Sequence, residues 1–388
     1  AMTSEEAIQH LDNIEFFIKS PGIPYNDFVK EVQKRGIKVL DEIEVAYNYM
    51  VEKNLKTKII AITGTNGKST TTAKISDLLN HAGYKACYAG NIGRSLSEAL
   101  LHEKDLDFVS LELSSFQLEN VENFRPYISM IINMGPDHIE RYKSFDEYYD
   151  TKFNISKNQD EKQYFIENID DVEIEKRAKQ IKAKRISVSK SKEANVYVAN
   201  DKIYVGKDCI IDVDKLSLKG IHNLENTLFM VATAEILNID REKLKEFLMV
   251  ATPLEHRTEL FFNYGKVKFI NDSKATNTDA AIKGMETFDR PIILIAGGYD
   301  KHTKLDKFMK TVKARVKCLI LLGNAAARFK DEAEKAGIKT IVLADDMRGA
   351  VEKGKSIACS GDVVLLSPAC SSFDMYANYE ARGFDFKK

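Results

Sequence analysis

Ile59-Ile-Ala-Ile-Thr63-Gly64-Thr65-Asn66-Gly67-Lys68-Ser69-Thr70 carries an apolar strand into a glycine-containing turn and then into Lys-Ser-Thr, with a helical pattern over Ser69–Ala82. Strand, turn and helix in that order make a phosphate cradle, because the unpaired N–H groups of a helix start converge on anionic oxygens. Lys68 supplies a point charge for the β- and γ-phosphates of a nucleotide, and a hydroxyl at Ser69 or Thr70 can reach Mg2+. The strict G-x-x-x-x-G-K-[ST] pattern would need glycine where Ile62 stands, so the loop is a variant supported by its setting.

Outward from this loop, strand-length apolar runs recur at Phe108–Leu113, Ile128–Asn133, Val267–Asn271, Ile292–Ala296, Cys318–Leu322 and Val363–Leu366, with longer helical patterns between most of them. That alternation predicts an α/β protein with mostly parallel sheets. Residues 185–218 read differently, as short strands in hairpins that turn at Asn200–Asp201 and Gly206–Asp208. A polar stretch at Lys53–Lys56 and a break near Pro253 divide the chain into 1–54, 55–253 and 254–388. The first piece is too short to be a comfortable domain by itself.

The polar residues at the strand ends are the candidates for chemistry, since open α/β sheets bind ligands there. Glu112 ends one strand, in Glu112-Leu-Ser114-Ser-Phe-Gln117, and a carboxylate there suits Mg2+, although a solvated glutamate reads the same way. Asn133-Met-Gly-Pro-Asp137-His138 ends the next, and His138 can be a ligand or an acid–base group. Lys152, within the helical stretch Ser144–Lys157, is a solvent-facing lysine on spacing alone. Lys219-Gly-Ile-His222-Asn223-Leu-Glu-Asn226 precedes an apolar helix, and its amides can read a purine edge or cap the helix. Three later loops share one design of small and polar residues after a strand: Asn271-Asp272-Ser-Lys274-Ala-Thr276-Asn277, Gly297-Gly-Tyr-Asp300-Lys301 and Ser367-Pro-Ala-Cys-Ser-Ser372-Phe373-Asp374. Together they predict one binding face for a nucleotide or a carboxylate substrate.

Charge and composition narrow the class. In 388 residues, 57 Lys and Arg face 58 Asp and Glu, a near-neutral balance that argues against a nucleic-acid partner. Apolar residues make up 44% and no apolar run reaches membrane-spanning length, so neither a membrane span nor a membrane partner is expected. The acidic start lacks the pattern of a secretory signal. Cys87, Cys209, Cys318, Cys359 and Cys370 are widely spaced, which fits a reducing cytoplasm and neither a zinc site nor a disulfide framework.

Taken together, Ser20-Pro-Gly22-Ile-Pro24, GTNGKST, ELSSFQL, Asp137-His138, GIHNLEN, EHRTE, NDSKATN, GGYDK and LSPACSSFDMY resemble, in order and along nearly the whole chain, the Mur ligases of peptidoglycan synthesis. NDSKATN and SPACSSFD resemble the D-glutamate-adding branch, and the D-N-P-R string of the diaminopimelate-adding branch is not present. The resemblance implies three α/β domains: a UDP-binding N-terminal domain, a central ATPase domain and a C-terminal amino-acid domain. The first is expected here in shortened form, with residues 1–54 as its remnant, because the family's opening strand and glycine-rich turn have no counterpart.

The resemblance also implies the chemistry: ATP activates the carboxylate of UDP-N-acetylmuramoyl-L-alanine as an acyl phosphate, and D-glutamate attacks it. Gly64, Thr65, Asn66, Gly67, Lys68, Ser69 and Thr70 would hold the ATP phosphates, and two Mg2+ ions would sit among Ser69, Glu112, His138 and a carbamylated Lys152. His222, Asn223 and Asn226 map to the adenine, and Arg257 and Asp272 to ATP from the last domain. Ser20, Gly22, Asn91, Ser114 and Gln117 map to the muramoyl substrate, and Lys274, Thr276, Lys301, Ser372, Phe373 and Tyr379 to D-glutamate. A cytoplasmic monomer is expected. A folylpolyglutamate-synthase-like ligase, a simple phosphate-loop kinase and a non-catalytic nucleotide-binding remnant are the rivals; the first is disfavoured by SPACSSFD and the second leaves the C-terminal third unexplained.

Overall fold

The computed structural model describes residues 4–135 and 141–388, which form two compact units dividing between Thr252 and Pro253. The first unit opens with a small parallel pair, β1 (Phe16–Ile18) and β2 (Lys38–Leu40), linked by the helix Asp27–Lys34 that Asn26 caps. The helix Glu42–Glu52 follows, and its buried Glu44 accepts the backbone N–H groups of Glu122, Asn123 and Phe124 at 2.7–3.0 Å.

The core of this unit is a sheet of β3 (Lys58–Thr63), β4 (Ala86–Gly90), β5 (Phe108–Glu112), β6 (Ile128–Ile131), β7 (Tyr164–Asn168), β8 (Lys184–Ser189), β9 (Val196–Ala199), β10 (Lys202–Val205) and β11 (Asp208–Asp212). Among the described residues its order is β11-β10-β9-β8-β7-β6-β3-β5-β4. Strands β3 to β8 are parallel, and β3 is apolar on both faces because helices cover both. Ile60 and Ile62 pack toward the helices Lys68–Ala82 and Ile221–Ile236, while Ile59 and Ala61 pack toward Glu42–Glu52 and Leu96–His102. The strand-rich stretch continues this sheet: β8 joins β7 and β9 joins β8 in parallel, and only β9 with β10 and β10 with β11 pair antiparallel as hairpins. Asn200 and Asp201 both take positive φ (48° and 54°), as a two-residue hairpin turn requires.

The chain crosses from one side of β3 to the other between β5 and β6, so the carboxyl ends of β3, β5 and β6 open a crevice at that crossing. The phosphate loop, Glu112 and Asn133 stand there.

The second unit has β12 (Glu259–Tyr264), β13 (Val267–Asn271), β14 (Ile292–Gly297), β15 (Val316–Leu322), β16 (Ile341–Leu343) and β17 (Val363–Leu366). Their order is β12-β13-β17-β14-β15-β16, parallel except for the edge strand β12. Among the described residues no helix is long and apolar enough to cross a membrane.

Candidate active site

The phosphate loop is shaped by contacts only glycine permits. Gly64 and Gly67 take φ of 149° and 82°. A Cβ on Gly64 would lie 3.2 Å from Ile132, and one on Gly67 would lie 2.4 Å from the Asn226 side-chain oxygen. Thr63 Oγ1 donates to the Leu113 carbonyl at 2.7 Å, tying the end of β3 to the end of β5. Asn133 Oδ1 accepts the Asn66 N–H at 2.8 Å, and its Nδ2 donates to the Asn66 carbonyl (3.3 Å) and to Glu225 Oε1 (2.9 Å). Gly135 N–H donates to Thr65 Oγ1 at 2.9 Å.

Two cations converge on a single carbonyl. Lys68 Nζ donates to the Gly64 oxygen at 2.8 Å and to the Thr65 oxygen at 3.1 Å, and Lys152 Nζ reaches the same Gly64 oxygen at 3.0 Å. Lys152 is buried, 2% exposed, with its ammonium 4.7 Å from the centre of the Tyr148 ring. This corrects the spacing-based reading of a solvent-facing lysine: the helix Phe145–Phe153 turns that face inward. Ser69 is buried at the helix start and Thr70 half-buried beside it.

Glu112 is buried at the end of β5, in register with Ile62 and Gly90. Asn91 Nδ2 donates to Glu112 Oε1 at 2.9 Å, while Oε2 is buried without a hydrogen-bond partner among the described residues. The solvated-glutamate reading of this position is thereby excluded. Ser114 and Gln117 bond to each other, with the Gln117 Oε1 accepting from both the N–H and the hydroxyl of Ser114 at 3.0 Å. Asn223 and Asn226 lie in the first turns of the helix Ile221–Ile236, Asn226 against Gly67, while His222 is exposed. Ser20 and Gly22 are exposed on a turn after β1. Asp137 and His138 lie outside the described residues.

In the second unit the buried and exposed candidates separate. Asp272 is buried, accepts from Ser367 Oγ at 2.8 Å and from the Thr258 N–H at 3.1 Å, and burial raises its pKa to about 6. Burial lowers the His256 pKa, and its Nδ1 lies 2.9 Å from Asn271 Nδ2. Arg382 is buried, its guanidinium spanning the Ser273 hydroxyl and carbonyl and the Cys370 carbonyl at 2.9–3.0 Å. Burial lowers the Arg382 pKa to about 10. These groups lock the loop after β13 to the loop after β17. Asp300 is held by a two-pronged bond from Arg328, 2.7 Å on each side, which drops its pKa to about 2. Around this frame Arg257, Lys301 and Phe373 are exposed, Lys274, Thr276 and Tyr379 half-buried, and Ser372 buried. Gly298 packs so closely on the Ser371 carbonyl that a Cβ would sit 2.4 Å away.

Profiles described as the Mur ligase middle domain and the Mur ligase glutamate ligase domain match residues 62–234 and 256–370. A UDP-N-acetylmuramoylalanine--D-glutamate ligase of Fusobacterium nucleatum is 70% identical, covering all of this chain and 90% of that protein. The chain belongs to the Mur ligase family. A ligase of the same name from a Thermoanaerobacter species is 40% identical over 98% of this chain and 85% of its own. The crystal structure of a Mur ligase from Thermotoga maritima in complex with ADP shares the fold, at a TM-score of 0.60 and 15% identity, over 97% of this chain and 95% of that one.

A Mur ligase of this fold is expected to use Mg2+, and the residues present suit it. Glu112 offers a buried, unsatisfied carboxylate oxygen, and Ser69 and Thr70 offer hydroxyls at the helix start; these are hard oxygen donors of the kind Mg2+ takes. Among the described residues no group of three or more His, Cys, Asp and Glu side chains is placed to hold a metal. Sequence reasoning passed over Asn133, Glu225, Arg382 and His256 as parts of the site. Asn133, Glu225 and His256 lie within motifs quoted above and Arg382 lies outside them all; in each case the partner, far away in the chain, is not readable from sequence.

Proposed function

We propose that this Mur ligase joins the amine of D-glutamate to the L-alanyl carboxylate of UDP-N-acetylmuramoyl-L-alanine, converting ATP to ADP and phosphate, as a cytoplasmic step of peptidoglycan synthesis. The observation that carries the reading is the 70% identity along the whole chain to a relative named for that reaction. In this reading residues 1–54 contribute to the UDP site, 55–253 bind ATP, 254–388 bind the amino acid, and the enzyme is a monomer.

A carboxylate is a poor acyl donor because oxide is a poor leaving group. A carboxylate oxygen therefore attacks the γ-phosphorus, the bond to ADP breaks, and an acyl phosphate forms. The neutral amine of D-glutamate adds to the carbonyl carbon, phosphate leaves, and the amine gives up its proton. The protein contributes positioning and charge neutralisation. Lys68, close over the loop at 2.8 Å from the Gly64 carbonyl, exchanges that carbonyl for phosphate oxygens, and the loop N–H groups take the rest. Mg2+, when bound, offsets the phosphate charge; Ser69 or Thr70 with Glu112 would hold one ion, and His138 with a carbamylated Lys152 a second. An ammonium beside a divalent cation is repelled, whereas a carbamate supplies an anion. Asn223 and Asn226 flank the base, with Arg257 and Asp272 contributing to ATP. Asn91, Ser114, Gln117, Ser20 and Gly22 receive the muramoyl substrate. Lys274, Thr276, Lys301, Ser372, Phe373 and Tyr379 receive D-glutamate, Lys301 as the counter-charge to its distal carboxylate.

The test is phosphate release from ATP with each substrate omitted in turn. Release that requires both D-glutamate and UDP-N-acetylmuramoyl-L-alanine supports the reading. Release with neither, or with a different acyl acceptor only, refutes it.

A further inference from the structure

The exposed turn that carries Ser20 and Gly22 rests on a charged cluster that the reaction does not use. Ile23 N–H donates to the Ser20 carbonyl at 2.9 Å, closing a β-turn with Pro21 and Gly22 at its centre. A Cβ at Gly22 would meet nothing within 4 Å, so neighbouring side chains do not hold that corner of the turn in place. Its carbonyls do. Arg141 Nη1 donates to the Pro21 oxygen at 2.9 Å and Nη2 to the Ile23 oxygen at 3.4 Å.

The same guanidinium forks onto Glu119, Nε to Oε1 at 2.9 Å and Nη2 to Oε2 at 2.7 Å, and lies 4.1 Å from the centre of the Phe116 ring. The buried Lys19 completes the arrangement, 3.6 Å from Glu119 and 3.3 Å from the Ile23 oxygen. Glu119 thus contacts both cations, with the buried Asp41 a second carboxylate acting on Lys19, and both cations face the main chain of the turn. Arg141 stands 120 positions along the chain from Pro21, so the clamp joins the start of the first unit to the segment after β6.

We infer that Arg141 is a positioning residue: braced by Glu119, it holds the Pro21–Ile23 main chain in the shape that presents Ser20 and Gly22 to UDP-N-acetylmuramoyl-L-alanine. The inference rests on the proposed role of those two residues and deepens it. Arg141 itself touches neither substrate nor the reacting atoms. The planar fork is essential, since it bonds the carboxylate and two carbonyls at once, which the point charge of a lysine cannot do.

The experiment compares the full chain with its Arg141→Lys variant by two readouts that do not need turnover. Calorimetric titration with UDP-N-acetylmuramoyl-L-alanine alone should show a dissociation constant raised on the order of tenfold, the scale on which a lost supporting contact weakens a preorganised site. Hydrogen exchange of the amides in residues 19–25 should accelerate while exchange elsewhere holds. The apparent KM for ATP should stay within about twofold, because the clamp lies outside the phosphate loop. Should Arg141→Lys fold poorly, Glu119→Gln, which keeps the shape and weakens the fork, should show the same pattern in smaller measure. An unchanged dissociation constant, unchanged exchange at 19–25, or a parallel loss of ATP affinity would each overturn the inference. If the unaltered protein binds no UDP-N-acetylmuramoyl-L-alanine, it is the functional reading that fails, and exchange alone then judges the clamp.

Discussion

The two units use the same device, polar loops after parallel strands, in opposite ways. In the first, the groups assigned to chemistry are themselves engaged: Lys68 and Lys152 share the Gly64 carbonyl, and Asn91 holds Glu112. In the second, Arg382 and His256 form a frame with Asp272, which is itself proposed for ATP, while Lys301 and Phe373, proposed for D-glutamate, stand exposed. The difference follows from the ligands proposed for each. A polyphosphate is bound largely by main-chain N–H groups, which must be fixed beforehand, and fixing them requires buried polar contacts. A small amino acid is recognised by a few side chains whose loops need only be held in place.

If that contrast is sound, damage in the first unit should strike turnover hardest. Lys68→Ala should lower kcat by on the order of a thousandfold, as loss of a preorganised charge at the transferring group does. Its thermal midpoint should barely move, because a half-exposed loop lysine adds little to stability. Near-normal phosphate release from this variant would break the comparison at its root. Lys152→Ala should lower kcat by on the order of a hundredfold. Bicarbonate should not restore it, because no amine remains to carbamylate, whereas a small carboxylate such as formate should restore part of the rate. Most of the activity surviving would show that this buried lysine serves packing alone.

In the second unit the effect should move from kcat to KM. Lys301→Ala should raise the apparent KM for D-glutamate by on the order of a hundredfold, since the distal carboxylate loses its counter-charge. The KM for ATP should change far less. The opposite pattern would mean that these loops serve the nucleotide.

What the sequence disclosed follows the same division. Strands β3, β5, β6, β13, β14, β15 and β17 were legible because they are mostly buried on both faces and read as predominantly apolar runs. Strand β12 was not, since Glu259–Tyr264 is largely exposed at a sheet edge, and β4 was hidden because Ala86–Gly90 mixes small, buried and exposed positions. The glycine and lysine of the phosphate loop were legible because its chemistry is local. The Asn133 brace was not, because it joins residues 67 apart, and the inward turn of Lys152 was not, because its partner lies 88 positions away. Periodicity reports which face is buried and says nothing about which distant carbonyl a buried cation meets.

The smallest expected effect is the most diagnostic of the frame, because two carboxylates in the second unit should respond to pH with opposite sign. Burial lifts Asp272 to about 6, above an unfolded value of about 4, so the folded state holds its proton more tightly. Stability should therefore fall as pH rises from about 4 to about 6, and Asp272→Asn should remove that fall. Asn can still accept the Thr258 N–H and can donate to Ser367, so the loop should survive the change. Asp300 is the reverse case: Arg328 holds it at about 2, so its contribution is present above about pH 4 and is lost as pH falls toward 2. Asp300→Asn should cost about 1 kcal/mol at neutral pH, after allowing for screening by solvent, and the cost should shrink steadily as pH falls from about 4 through 2. Urea midpoints for both variants across pH 2 to 7 would check this. If both difference curves slope the same way, Asp272 is ionised and paired in the folded protein, and the contrast between a buried frame and an exposed binding surface fails in the unit where it was drawn most sharply.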